Sequence, residues 1–122
     1  MPFDTLTQAV EDILEHIARI ERFVASVDDV QFRNDERTIF AVHCALLAIS
    51  GVAVRLGDWA EVLSADVPWH RIRDLSAQLR PGYDRIDPLM LWGVVVQDLA
   101  PLRLNAMRAL NRLEDHERLE WL

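Results

Sequence analysis

The run Ile39-Phe40-Ala41-Val42-His43-Cys44-Ala45-Leu46-Leu47-Ala48-Ile49-Ser50-Gly51-Val52-Ala53-Val54 is apolar on nearly every side, broken only by His43, Ser50 and Gly51. It is short for a bilayer span, which needs about 20 residues, and Arg37 and Arg55 stand close to its ends. The expectation is a central helix buried by its neighbours on most faces. Asn34 or Asp35 offers an N-cap, Gly57 is placed to end the helix, and Asp58 to cap a short piece from Trp59 to Leu63.

Outward from this run, the flanks read as partners for it. On the N-terminal side, Leu6, Val10, Ile13, Ile17, Ile20 and Val24 recur at alternating four- and three-residue steps. That spacing draws one apolar stripe down a long helix, widened by Leu14 and Phe23. Thr5 with Gln8 has the form of a capping box. On the C-terminal side, Asp66-Val67-Pro68-Trp69 predicts a cap with Pro in the first turn of a helix running to Arg80, where Pro81-Gly82 stops it. Asp87-Pro88 repeats the signal and opens a helix to about Leu113, kinked at Pro101, followed by a charged tail from Glu114 to Arg118 that frays. The fold class is all-α: an antiparallel bundle of four to five helices forming one domain over residues 1–122.

Composition narrows the function. All 13 basic side chains are Arg, against 20 acidic ones, and the net charge of -7 argues against a general nucleic-acid coat. A single cysteine, Cys44, forms no internal disulfide, and Met1-Pro2-Phe3-Asp4 does not open a secretory signal, so a cytoplasmic protein with no membrane association is expected. His16, His43, His70 and His116 lie far apart, without the spacing of a metal site, and no metal or cofactor is expected. His43 and Cys44 read as core residues, because adjacent helical residues point about 100° apart and make a poor nucleophile–base pair. Arg73 and Arg80 share a helix face and are candidates for a phosphate or RNA contact. The same residues also fit a mixed-charge surface helix interleaved with Asp74, Asp84 and Asp87.

Pro68-Trp69, Leu79, Gly82-Tyr83, Asp87, Trp92 and Val95-x-Gln97-Asp98-Leu99-x-Pro101-Leu102 resemble the HepT-like family of the HEPN superfamily. The opening helix, through Asp12-Ile13-Leu14-Glu15 and Arg19-Ile20-Glu21-Arg22, is similar to that family's first helix. The central helix is similar too, through Ala41-Val42, Leu46, Ile49, Ala53 and Arg55-Leu56. The resemblance implies a helical bundle that pairs as a homodimer and acts as a metal-independent ribonuclease toxin. It also implies a minimal nucleotidyltransferase antitoxin as partner, and catalysis by a motif written R-N-x-x-x-H-x-Y. Attack by a ribose hydroxyl needs a base that titrates near neutrality and a cation for the phosphate.

In register the chain reads Ser76-Ala77-Gln78-Leu79-Arg80-Pro81-Gly82-Tyr83. Ser76 stands where the family has Arg, Ala77 where it has Asn, and Pro81 where it has His. On the central helix, Cys44 takes the place of a family Arg, and Leu47 and Gly51 take places where Glu is usual. Tyr83 matches the motif's Tyr, to which the antitoxin can transfer AMP, so it is the candidate AMP acceptor; the other reading packs its ring beside Pro81 and Gly82. No catalytic residue is assigned. The first expectation is a catalytically degenerate dimer that binds a nucleotidyltransferase-type protein or, more weakly, RNA. The alternatives are a divergent ribonuclease using Arg80 or Arg73, and a self-associating helical protein with no toxin–antitoxin role.

Overall fold

A computed structural model describes residues 3–78 and 86–120, and among them there are seven helices and no strand. These are α1 (Phe3–Phe23), α2 (Asp29–Arg33), α3 (Glu36–Leu56), α4 (Trp59–Leu63), α5 (Trp69–Gln78), α6 (Pro88–Gln97) and α7 (Leu99–Glu120). The long helices build the expected bundle. α1 packs on α3 and α7, and α5 packs on the far side of α3. The α1 stripe is the seal: Leu6, Val10, Ile13, Ile17 and Ile20 are all buried, the last three completely. Leu99, Leu102, Ala106, Ala109 and Leu113 form the matching stripe on α7.

Several local signals act as read. Asp35 is the N-cap of α3, its carboxylate accepting from the Thr38 amide at 3.2 Å and the Thr38 hydroxyl at 2.6 Å. Gly57 ends α3 at φ 55°, in the left-handed region that side chains disfavour. Asp87 caps α6, accepting from the Leu89 amide at 3.0 Å, with Pro88 in the first turn.

Others need correction. α1 already includes Phe3, so Thr5 lies inside the first turn and does not cap it; Gln8 instead donates to Asp12 at 2.8 Å. Phe23 is exposed. Asp58 makes no side-chain cap bond to α4. The expected loop before α3 contains a further helix, α2, started by a capping box between Asp28 and Gln31 and pinned by the buried Phe32. Phe32 stacks tilted against Trp92 at 5.1 Å. The kink expected at Pro101 falls at Asp98, a one-residue interruption, because Pro101 has no N–H to give the Gln97 carbonyl. Asp98 keeps helical angles and its amide donates to the Val94 carbonyl at 2.9 Å, so α7 follows at Leu99 with Pro101 in its first turn. The charged tail continues α7 to Glu120, with Arg118 paired to Asp115 at 3.0 Å. α3 is long and apolar enough to cross a membrane by composition alone, and half of that stretch is buried within the bundle.

Candidate functional site

α5 has two flanks, and each meets a different surface. On the first, Ser50, fully buried on α3, donates to the Arg73 carbonyl at 3.2 Å and fixes the register of α3 against α5. The Arg73 guanidinium turns toward α4, where it donates to the Glu61 carboxylate and reaches the Gly57 carbonyl at 3.4 Å. Glu61 is consequently held below the usual carboxylate range by its bond to Arg73, against a smaller opposing effect of desolvation. Arg73 therefore ties the C-terminal end of α3 and α4 to α5, and a phosphate would have to compete with Glu61 for it.

Beside this flank runs the outer face of α3. Phe40, Cys44, Gly51 and Val54 are exposed there and Leu47 is half-buried, so the helix is not covered on most faces and Cys44 is not a core filler. Trp59 and Val62 of α4 are exposed as well. A Cβ added at Gly51 would meet nothing within 4 Å, so no contact among the described residues requires glycine there.

Ser76 falls in the last turn of α5, while Arg80, Pro81 and Tyr83 lie outside the described residues. His70 is exposed. The Nδ1 of His16 lies 3.1 Å from the Arg19 guanidinium. No group of three metal-ligating side chains occurs among the described residues. The feature missed in the sequence is His43. Its Nδ1 is buried without a hydrogen-bond partner among the described residues. It stands seven residues before Ser50, two turns away on the same side of α3, which is the side that meets α5.

This bundle, in which α3 packs between α1 and α5, coincides with a match to the family model for HepT-like ribonucleases over residues 13–109. The chain belongs to the HepT-like ribonuclease family. It is 30% identical over 94 residues to a probable ribonuclease HepT of Thermococcus cleftensis, covering 77% of this chain and 86% of that protein. No solved structure matches. The family match spans both α3, with its stripe, and the segment from Ser76 to Tyr83.

The other flank of α5 faces α6. The two helices both rest on α3 but barely touch each other among the described residues. Between them lies a gap of about 290 Å³, bridged at its mouth by Arg71 and Asp98 at 3.2 Å.

Proposed function

We propose that this chain is a non-cleaving member of the HepT-like family that works by binding, as a homodimer joined through the outer face of α3. The supporting observation is that face itself. Cys44, Leu47 and Gly51, at positions where the family resemblance implies Arg and Glu, join Phe40 and Val54 in an apolar stripe left open by the described helices. Apolar surface of this kind gains free energy when covered, and a glycine in it permits close approach of a second backbone. The loss of charge on α3 parallels the loss in the motif, where Ser76 and Pro81 offer neither a permanent cation nor a titratable base. The dimer's partner is a nucleotidyltransferase-type protein, with Tyr83 its candidate AMP acceptor and RNA held without cutting the lesser ligand.

The test has two arms. In sedimentation velocity at micromolar concentration the chain runs as a dimer, and Phe40→Asp, which sets a charge at an exposed position of the stripe, runs as a folded monomer. In the second arm the purified chain leaves RNA whole, and expression without any partner does not arrest growth. Cleavage of RNA that a point change in the chain abolishes sinks the non-cleaving reading; a monomeric wild type sinks the dimer.

His43 favours a second reading, a divergent ribonuclease. A buried imidazole nitrogen without a partner costs free energy, and such groups concentrate where chemistry is done. If RNA is cut, His43→Ala abolishes the cutting under this reading, whereas His70→Ala leaves it intact.

A further inference from the structure

We propose that the gap between α5 and α6 is a binding site for a guanine base. Its floor is Leu46 and Ile49 of α3, and its walls include Ile72 and Leu75 of α5 and Met90 and Val94 of α6. At about 290 Å³ it falls just under the ~300–1,000 Å³ of drug-sized sites, room enough for a single base, and like them it is apolar inside with a few polar groups converging at one place. Here the polar groups are Arg71 and Asp74 from α5 and Gln97 and Asp98 from the end of α6.

Their chemistry selects the ligand. Two carboxylates against one guanidinium leave the mouth net negative, which repels phosphate and leaves the base to be recognised. Arg71 and Asp98 stand side by side at 3.2 Å, a donor next to an acceptor. The Watson–Crick edge of guanine is the complement: its O6 accepts, and its N1–H and N2–H donate in parallel to the two oxygens of a carboxylate. Adenine and cytosine each present a single donor group there, and so make poorer use of a mouth in which acceptors outnumber donors. Arg71 and Asp98 meet through one oxygen, with the Arg71 side chain 60% and Asp98 30% exposed, so the pair opens toward a ligand at little cost.

Gly93 is the independent mark of an occupant. It sits inside α6, where glycine weakens a helix, and it lines the gap. A Cβ added there would meet nothing within 4 Å, so the fold itself does not need glycine at this position. What glycine supplies is a flat stretch of wall against which a planar ring can lie.

The test uses the full chain with ¹³C-labelled methionine methyls, titrated with guanosine, adenosine and cytidine. Guanosine shifts the Met90 methyl, which lines the gap, and leaves that of Met107, which lies on α7 away from it. Adenosine and cytidine bind at least tenfold more weakly. Gly93→Leu fills the gap and abolishes the Met90 response. Asp98→Asn, which keeps the shape, weakens guanosine about tenfold and carries the test if Gly93→Leu does not fold. Competition by guanosine against a short guanine-containing single-stranded RNA assigns the base to RNA; guanosine binding without RNA binding assigns it to the free nucleoside. The proposal is overturned if Met90 does not respond to guanosine, if the three nucleosides are equivalent, if a folded Gly93→Leu variant binds as before, or if Met90 answers only to an apolar probe such as toluene.

Discussion

The two faces of α3 are almost equally apolar and have opposite fates. Ile39, Val42, Leu46, Ile49, Ala53 and Leu56 are sealed by neighbouring helices, whereas Phe40, Cys44, Gly51 and Val54 face outward. The inner face is closed by elements that follow their own periodic stripes, α1 above all. The outer face has no such complement, because α4 is one short turn and α5 is spent on Ser50 and on the gap toward α6. A helix apolar all round therefore states that it will be covered on every side, but not that its own chain will do the covering.

The contrast is broken most strongly from the inner side. Ile17→Ala removes a fully buried side chain from the α1 seal and should cost about 2–5 kcal/mol, the range for large-to-small changes that leave a cavity, read by chemical denaturation. Val54→Ala, on the outer face, should cost well under 1 kcal/mol in the same assay run dilute enough for the chain to be monomeric, since a side chain exposed in the single chain leaves no cavity there. Equal losses at the two positions would mean that the outer face is covered in the folded unit, and the distinction would fall.

Gly51 sharpens the comparison, because its two effects have opposite signs. With nothing near its missing Cβ, Gly51→Ala should stabilise the isolated chain by up to about 1 kcal/mol through helix propensity. The same methyl group pushes a second backbone away, so the dimer should dissociate more readily. Thermal melts at low concentration and sedimentation at high concentration separate the two. A variant that is more stable and associates unchanged removes Gly51 from the interface.

How far the sequence carried follows the same division. The stripe from Leu6 to Val24, the caps at Asp35 and Asp87 and the stop at Gly57 were legible because each is a local rule satisfied within a few residues. The interruption at Asp98 was misplaced because a proline's missing donor is felt four residues upstream, and only the packing of α6 and α7 decides whether the helix bends or parts there. α2 was hidden because its single buried anchor, Phe32, makes no periodic pattern. Of the site, the motif positions rest on resemblance alone, since Arg80, Pro81 and Tyr83 lie outside the described residues. The open face of α3, the unpartnered Nδ1 of His43 and the gap beside Gly93 could not be read, because each depends on what another helix fails to cover. Arg73 shows the same limit: its face on α5 was foreseen, and its capture by Glu61 on α4 was not.

That capture gives a more modest prediction. Arg73→Met keeps an unbranched apolar stem and removes the bonds to Glu61 and the Gly57 carbonyl. Thermal stability should drop by less than for Ile17→Ala, and the Glu61 carboxyl should titrate higher than in the parent, followed by NMR. The outer face of α3 should be unaffected, so association persists. Loss of association in this variant would join the two regions that the structure keeps apart.

The smallest effect is set by protons. Asp35 is held below the ordinary carboxylate range by its side-chain bond to the Thr38 hydroxyl and then by the Thr38 amide, and Glu61 by Arg73. For a group whose folded value is depressed, the charged form is favoured by folding. The stability it contributes is therefore complete above the unfolded value, about 4 for a carboxylate, and is lost as pH falls through the lower folded value. Thermal stability should be flat from about pH 7 to 5 on account of these two groups and decline below that. Glu61 is exposed and Asp35 only half-buried, so the decline they cause is shallow. Asp35→Asn and Glu61→Gln should each flatten it, because neither replacement titrates. Asp35→Asn also keeps an acceptor for the Thr38 amide, so it should preserve the start of α3 at neutral pH while removing the pH dependence, which separates the cap's hydrogen bond from its charge.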